Sequence, residues 1–192
     1  MGSFMPFNFE KLSVLIVEDT LPMLRLMNAV LATLGIRNTF TASNGERAFE
    51  IFRKEAPDIV LSDWHMSPVD GIELTRMIRR DPLSPNRMAP VILVTGFSAV
   101  SRIAVARDAG VTEFMVKPFS ANDLAKRLAY VINKPRDFID APEYFGPDRR
   151  RRRNPDYTGP YRREEEDGVE NASEDGEESK SVRKIRQSPL SS

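Results

Sequence analysis

The 192-residue chain has no cysteine, one histidine and one tryptophan. Without cysteine there is no disulfide framework, no thiolate zinc site and no cysteine nucleophile, and this composition is typical of a reducing interior. No apolar run approaches the roughly 20 residues of a transmembrane helix, and the amino terminus carries no export or lipidation signal. We therefore expect a cytoplasmic protein without membrane insertion.

An excess of one charge is also missing, because 28 basic side chains balance 28 acidic ones. This balance conceals separate blocks of charge. Residues 1–134 are well mixed, residues 149–163 hold seven arginines against one aspartate, and residues 164–178 hold nine carboxylates and no base. A net charge of zero therefore does not exclude an anionic ligand for the arginine-rich block.

Short β-branched apolar runs alternate with stretches of helical periodicity from residue 12 to residue 134. Five such strand–helix units in a row predict an α/β domain in which a doubly wound parallel sheet is covered by helices on both faces. The predicted strands are residues 13–17, 37–42, 58–62, 90–94 and 113–116. The predicted helices are residues 21–34, 44–55, 70–80, 98–109 and 120–133.

Apolar periodicity stops after residue 134, and proline, glycine and charged residues dominate from there. Such a stretch cannot bury enough apolar surface to offset its ordering entropy. We therefore expect an N-terminal extension over residues 1–11, one domain over residues 12–134, and a disordered tail over residues 135–192.

Polar side chains follow four of the predicted strands, at the edge where an open parallel sheet binds its ligands. They are Glu18 and Asp19, Asp63, Thr95 and Lys117. Crowded carboxylates repel one another, and a hard cation such as Mg²⁺ relieves that repulsion. One carboxylate can then attack a phosphoryl group while the lysine and the hydroxyl contact its oxygens. The set predicts a site that forms an aspartyl phosphate.

These residues, read with Asp63-Trp64-His65-Met66, Asp70-Gly71 and Val116-Lys117-Pro118-Phe119, resemble the receiver domain of response regulators, the CheY family, over residues 12–133. The resemblance implies a flavodoxin-like (βα)5 fold. It also implies that a sensor histidine kinase phosphorylates Asp63. Each acidic residue alone would equally suit an ordinary turn, so the order of all five carries the prediction.

The resemblance further assigns a role to each site residue. Four of them would hold Mg²⁺: Glu18, Asp19, Asp63 and the backbone carbonyl of His65. Thr95 and Lys117 would contact the phosphoryl group, and Thr95 and Phe114 would form the switch. The chain departs from the family pattern at two positions. Four residues after Asp63, where the family commonly has proline, it has Ser67, and Pro68 follows. Phe114 has no hydroxyl, so a switch that uses a tyrosine hydrogen bond is excluded.

A phosphatase that uses an aspartyl nucleophile is the alternative from the enzyme class. Such an enzyme would want a second carboxylate two residues after Asp63, and His65 occupies that position. We therefore expect a stand-alone phosphoacceptor rather than an enzyme. The tail has no helix-turn-helix pattern, which argues against sequence-specific DNA binding.

The arginine-rich segment 142–163 contains a peptide motif in two copies. Residues 142–150 and 155–163 share six of nine positions at an offset of 13. Arginine can bind the edge of guanine and stack on its face, while a carboxylate accepts from its opposite edge. The segment Arg153-Asn154-Pro155-Asp156 has the Arg-x-x-Asp spacing seen in cyclic di-GMP sites, and Tyr144 and Tyr157 offer stacking platforms.

A receiver followed by such a tail resembles the Cle proteins, CheY-like cyclic di-GMP effectors associated with the flagellar motor. This resemblance implies cyclic di-GMP as ligand and a flagellar motor switch component as docking partner. The residues expected to bind the dinucleotide are Arg149, Arg150, Arg153, Asp156, Tyr157, Arg162 and Arg163. The alternative is an adaptor whose basic tail binds nucleic acid or another polyanion without specificity.

Overall fold

A computed structural model describes residues 9–96, 100–149 and 183–185 of the chain. The strands of the larger sheet are β1 Ser13–Val17, β2 Asn38–Ala42, β3 Ile59–Asp63, β4 Val91–Thr95 and β5 Glu113–Val116. The helices are α1 Leu21–Thr33, α2 Gly45–Glu55, α3 Gly71–Arg80, α4 Val100–Ala109 and α5 Ala121–Asn133. No helix in these described ranges is long and apolar enough to cross a membrane.

The larger sheet is parallel throughout, with the strand order β2-β1-β3-β4-β5. Helices cover both faces, so strands such as β4 are buried at every position and read as continuous apolar runs. Side chains of α1 and α5, among them Leu31 and Leu128, pack on one face of the sheet. Phe52 of α2 and Ile78 of α3 pack on the other. The predicted flavodoxin-like (βα)5 fold is confirmed, with each strand within one residue of its predicted bounds.

A second, antiparallel sheet follows α5. Its strands are β6 Phe138–Ala141, β7 Tyr144–Pro147 and β8 Arg183–Ile185, in the order β7-β6-β8. We call residues 138–147 the hairpin. The third strand returns from near the carboxyl terminus and places Arg183 opposite Asp140.

The hairpin corrects the expectation of a disordered tail over residues 138–147. Phe138 is fully buried, Phe145 is 8% exposed, and their rings lie 5.6 Å apart. Two aromatic side chains bury enough apolar surface to fix a short hairpin once an existing domain supplies the other half of the contact. Hydrophobic periodicity does not reveal the hairpin, because Phe138 and Phe145 are isolated in a polar stretch.

Arg79 of α3 supports the hairpin from inside the domain. Its side chain is fully buried and donates hydrogen bonds to the carbonyls of Gly110, Arg87 and Ala89 and to the hydroxyl of Thr112. The guanidinium also lies 5.2 Å from the centre of the Phe138 ring. Burial lowers the pKa of Arg79 to about 9, so the side chain stays protonated at neutral pH. One cation thus joins the amino ends of β4 and β5 to the hairpin.

Candidate phosphoacceptor site

Three carboxylates meet at the carboxyl edge of the larger sheet. Glu18 and Asp19 follow β1 and Asp63 ends β3, the two neighbouring strands whose connections run in opposite directions. One carboxylate oxygen from each lies within 4.8 Å of the others. Glu18 is buried, Asp63 is half-buried and Asp19 is exposed, so the cluster opens to solvent on one side. This set of hard oxygen donors fits a divalent cation such as Mg²⁺.

Lys117 joins this cluster from the end of β5. Its Nζ lies 2.8 Å from Oε2 of Glu18 and 3.0 Å from Oδ1 of Asp63. Burial lowers the pKa of Lys117, but the hydrogen bonds and charges of Glu18 and Asp63 outweigh it, so that pKa is raised above its usual value. The ammonium is therefore protonated and held against the predicted acceptor.

Thr20 is a site residue that the sequence analysis missed. Its backbone N–H and hydroxyl both donate to Oε1 of Glu18, at 3.2 and 2.5 Å. Thr20 precedes α1, where a threonine ordinarily caps the helix with its side chain, and here that cap bond is missing. A threonine directly after an acidic pair, at a helix start, is the signal that could have identified it. Thr20 orients Glu18, while Lys117 binds the other carboxylate oxygen.

The segment after Asp63 is held tightly from both sides. The amide of Trp64 donates to the carbonyl of Val94, and the amide of Gly71 donates to the carbonyl of Trp64. A Cβ on Gly71 would lie 2.2 Å from the backbone oxygen of Asp63, so glycine is required there. Asp70 caps α3 by accepting from the amide of Glu73 at 2.8 Å. The Asp70-Gly71 pair therefore fixes the loop that follows Asp63.

The two predicted switch residues lie on neighbouring strands. Thr95 is buried at the end of β4, and its carbonyl accepts from the amide of Lys117 at 2.8 Å. Phe114 is half-buried and packs against a cluster that includes Trp64 and Ala106. His65, whose carbonyl the family resemblance places on the metal, is exposed, and the Ser67–Pro68 bond after it is cis, as is Lys117–Pro118.

Of the residues predicted to bind cyclic di-GMP, Arg149 is described and it is already engaged. Its guanidinium lies 3.3 Å from Oδ1 of Asp108 and 3.9 Å from the centre of the Tyr144 ring. The other six, Arg150, Arg153, Asp156, Tyr157, Arg162 and Arg163, lie outside the described residues. The guanidinium of Arg149 therefore covers one face of the Tyr144 ring, and that face is closed to a stacked base.

The first copy of the repeated motif forms the outer strand of the hairpin. The hydroxyl of Tyr144 donates to the carbonyl of Pro147, and a Cβ on Gly146 would lie 2.6 Å from that hydroxyl. The residues that make these contacts, with Arg149, are identical in the second copy, whereas Phe145 is replaced there by Thr158. The second copy thus lacks the apolar side chain that docks the first copy on the domain.

The fold and the site together define an α/β domain with an acidic centre at the carboxyl edge of its parallel sheet, and the centre suits a divalent cation. A family model for the response regulator receiver domain matches residues 14–129. The chain belongs to this family.

The chain is similar in sequence to two chemotaxis proteins. It is 33% identical over 125 residues to chemotaxis protein CheY-3 of Vibrio cholerae, an alignment that covers 65% of this chain and 95% of that protein. It is 32% identical over 123 residues to chemotaxis protein CheY of Pseudomonas aeruginosa, covering 64% of this chain and 98% of the relative.

Solved structures agree with this similarity. One is the receiver domain of a Pseudomonas aeruginosa sensor histidine kinase with a magnesium ion coordinated in the active site cleft. It matches with a TM-score of 0.56 and 26% identity, over 62% of this chain and 94% of that one. Vibrio cholerae CheY4 matches with a TM-score of 0.58 and 25% identity, over 62% and 98%.

Proposed function

We propose that Asp63 accepts a phosphoryl group from a sensor histidine kinase and that the chain relays this signal in chemotaxis. The observation that carries the proposal is the meeting of three carboxylates with the Lys117 ammonium at one end of the sheet. The names of the chemotaxis relatives support the process, and the family supports the chemistry. In this scheme the protein is a cytoplasmic phosphoacceptor and not an enzyme.

The side chains of Glu18, Asp19 and Asp63, with the carbonyl of His65, would hold the metal. Bound Mg²⁺ supplies positive charge to the phosphoryl oxygens. A carboxylate oxygen of Asp63 attacks phosphorus, and the bond from phosphorus to the donor histidine breaks as its electron pair returns to the imidazole nitrogen. The Lys117 ammonium, 3.0 Å from Asp63, then contacts a phosphoryl oxygen.

The remaining contact comes from Thr95. Its hydroxyl would donate a hydrogen bond to the phosphoryl group from the end of β4. Thr95 is buried and its carbonyl accepts a hydrogen bond from the amide of Lys117, so the two residues proposed to contact the phosphate are joined through their backbones. Phe114 on β5 then packs differently beside them, which makes Thr95 and Phe114 the proposed switch.

The test uses the full chain with Mg²⁺ and acetyl phosphate, followed by intact-mass spectrometry. We expect one phosphoryl adduct on the wild-type chain, its removal by hydroxylamine, and no adduct on Asp63→Asn. The control is Glu50→Gln, which removes an exposed carboxylate of α2, outside both the site and the hairpin, and should leave the adduct unchanged. An adduct of equal yield on Asp63→Asn would overturn the assignment.

We also propose that the arginine-rich tail binds cyclic di-GMP and tunes docking to a flagellar motor switch component. The support is the Arg153 to Asp156 spacing and the repeated motif. The second copy supports the proposal further, because Thr158 stands where Phe145 docks the first copy. Arginine side chains there can bind guanine edges and phosphates.

Titration with cyclic di-GMP tests this part separately. We expect saturable binding by the wild-type chain, a large loss for the double variant Arg153→Ala/Asp156→Ala, and no loss for Arg76→Ala, an exposed arginine of α3. Equal binding of the dinucleotide and of unrelated single-stranded RNA, with a steep salt dependence, would favour the nonspecific polyanion binder instead.

A further inference from the structure

The hairpin packs against the carboxyl end of α4. Arg149, two residues after the hairpin, forms an ion pair with Asp108 in the last turn of α4. At Gly110, which follows the helix, the φ of +92° is in the left-handed region that favours glycine, and a Cβ there would lie 3.2 Å from the carbonyl oxygen of Phe145. A Cβ on Gly146 would lie 3.0 Å from the Cα of Gly110. The two backbones thus lie so close that a side chain on either glycine would require its neighbour to shift by a few tenths of an ångström.

The opposite side of α4 packs toward the acceptor. Ala106 and Ala109 belong to a buried cluster with Trp64 and Leu93, and Phe114 packs against the same cluster. Trp64 follows Asp63 directly and its amide is bonded to β4. A continuous line of packed groups therefore runs from the hairpin, through the last turns of α4, to the residue beside the acceptor.

The other end of α4 is tied to the site along the chain. Thr95 ends β4 and α4 begins five residues later, at Val100. A change in the position of Thr95 when Asp63 is loaded therefore acts on a helix whose far end the hairpin holds.

We propose that the hairpin is a strap that holds α4 in the arrangement of the unphosphorylated domain and so opposes loading of Asp63. The inference rests on the proposed phosphorylation of Asp63. The contacts seen here accompany a site in which Lys117 binds both Glu18 and Asp63. A contact that favours one of two states lowers the affinity for a ligand of the other, and the ligand weakens the contact by the same factor.

The Arg149–Asp108 ion pair allows a test that spares the core. The probe is beryllofluoride with Mg²⁺, a mimic of the phosphoryl group, and the signal is the fluorescence of Trp64, the single tryptophan of the chain. In Arg149→Gln and in Asp108→Asn the half-saturating concentration should fall by about two- to fivefold, the range expected for a partly exposed ion pair. The double variant should gain less than the sum of the two single variants, because both lose the Arg149–Asp108 ion pair.

The control is the α3 ion pair, whose members Glu73 and Arg76 lie 3.4 Å apart and outside the hairpin contact. Glu73→Gln and Arg76→Gln should bind beryllofluoride as the wild type does. Amide hydrogen exchange gives the reciprocal readout, in which beryllofluoride should accelerate exchange in residues 138–147.

Each outcome decides between the proposals. Equal half-saturation for the wild type, Arg149→Gln and Asp108→Asn would overturn the strap and leave the phosphoacceptor intact. Weaker binding by these two variants would overturn it as well, because the hairpin would then favour the loaded state. A wild-type chain that gives no response would overturn the phosphoacceptor and the strap together.

Discussion

The two ends of the parallel sheet carry charges of opposite sign in different surroundings. At the carboxyl end, Glu18, Asp19 and Asp63 bring three negative charges together and Lys117 supplies one positive charge. At the amino end, the fully buried Arg79 is surrounded by carbonyl and hydroxyl oxygens. The carboxyl end keeps a net negative charge that a bound cation can neutralise. At the amino end, the protein's own oxygen atoms accept hydrogen bonds from the buried cation.

This comparison separates a site from a support. Like charges held close together are costly for a fold, and a protein that keeps them gains a binding function in return. A buried cation with a complete set of hydrogen bonds stabilises the structure around it. A charged cluster that lacks a neutralising partner therefore indicates a binding site, whereas one with protein partners indicates structural support. Substitutions at each end test this distinction.

The largest effect should come from the amino end. Arg79→Met leaves the carbonyls of Gly110 and Ala89 without their donor and removes the cation beneath Phe138, so the free energy of unfolding should fall by about 3–5 kcal/mol. Urea denaturation measures this. Arg76→Met, on the exposed side of the same helix, should change stability by less than about 0.5 kcal/mol. Equal losses for the two variants would refute a special role for the buried cation.

The acceptor loop should show the next largest effect. In Gly71→Ala the new Cβ collides with the backbone of Asp63, so the loop must shift, at a cost of about 1–3 kcal/mol. Phosphorylation by acetyl phosphate should slow in the same variant. Gly96→Ala is the matched control, because a Cβ there meets nothing within 4 Å. A Gly71→Ala protein as stable as Gly96→Ala would contradict the close packing described above.

Removing one charge from the acidic end should separate binding from stability. Asp19→Asn should weaken Mg²⁺ binding about tenfold, which is about 1.4 kcal/mol. In metal-free buffer the same change should raise the free energy of unfolding by up to about 1 kcal/mol, because it relieves repulsion at an exposed position. Titration calorimetry and denaturation measure the two quantities. A variant that loses both Mg²⁺ affinity and stability would show that the acidic end is a support after all.

The smallest effect should come from the start of α5, beside the acidic end. Ser120 and Asp123 form a capping box, in which each side chain accepts from the backbone amide of the other. Ser120→Ala should lower the free energy of unfolding by about 1 kcal/mol, and Ser120→Thr, which keeps the hydroxyl that donates to Asp123, should restore most of it. Mg²⁺ affinity should stay unchanged in both variants. A change in that affinity would extend the site to this helix start.

The fold and the meeting of the charged site residues could be predicted from the sequence because their signals are local. Alternating strand and helix patterns fix the parallel sheet, and each polar residue of the site stands at the end of a strand or within two residues after it. Once the strands are parallel, the carboxyl ends of neighbouring strands share one edge. That Glu18, Asp63 and Lys117 lie at the same edge then follows from the topology.

The hairpin could not be predicted in the same way, because its stability comes from contacts between residues far apart in the chain. Phe138 and Phe145 stand isolated in a polar stretch, and Arg79 reads as one more charged residue on a helix. The arginine-rich repeat suggested a ligand for both copies. In the structure, Arg149 of the first copy contacts the ring of Tyr144 and forms an ion pair with Asp108.

The sequence by itself therefore determined the α/β fold, the family and the order of the five site residues, since each is written in short-range patterns. Tertiary structure alone decided that Thr20 orients Glu18, that Arg79 is buried, and that the hairpin packs against α4. The physical reason is that burial and hydrogen-bond partners depend on which distant segments meet, and no local pattern records that meeting.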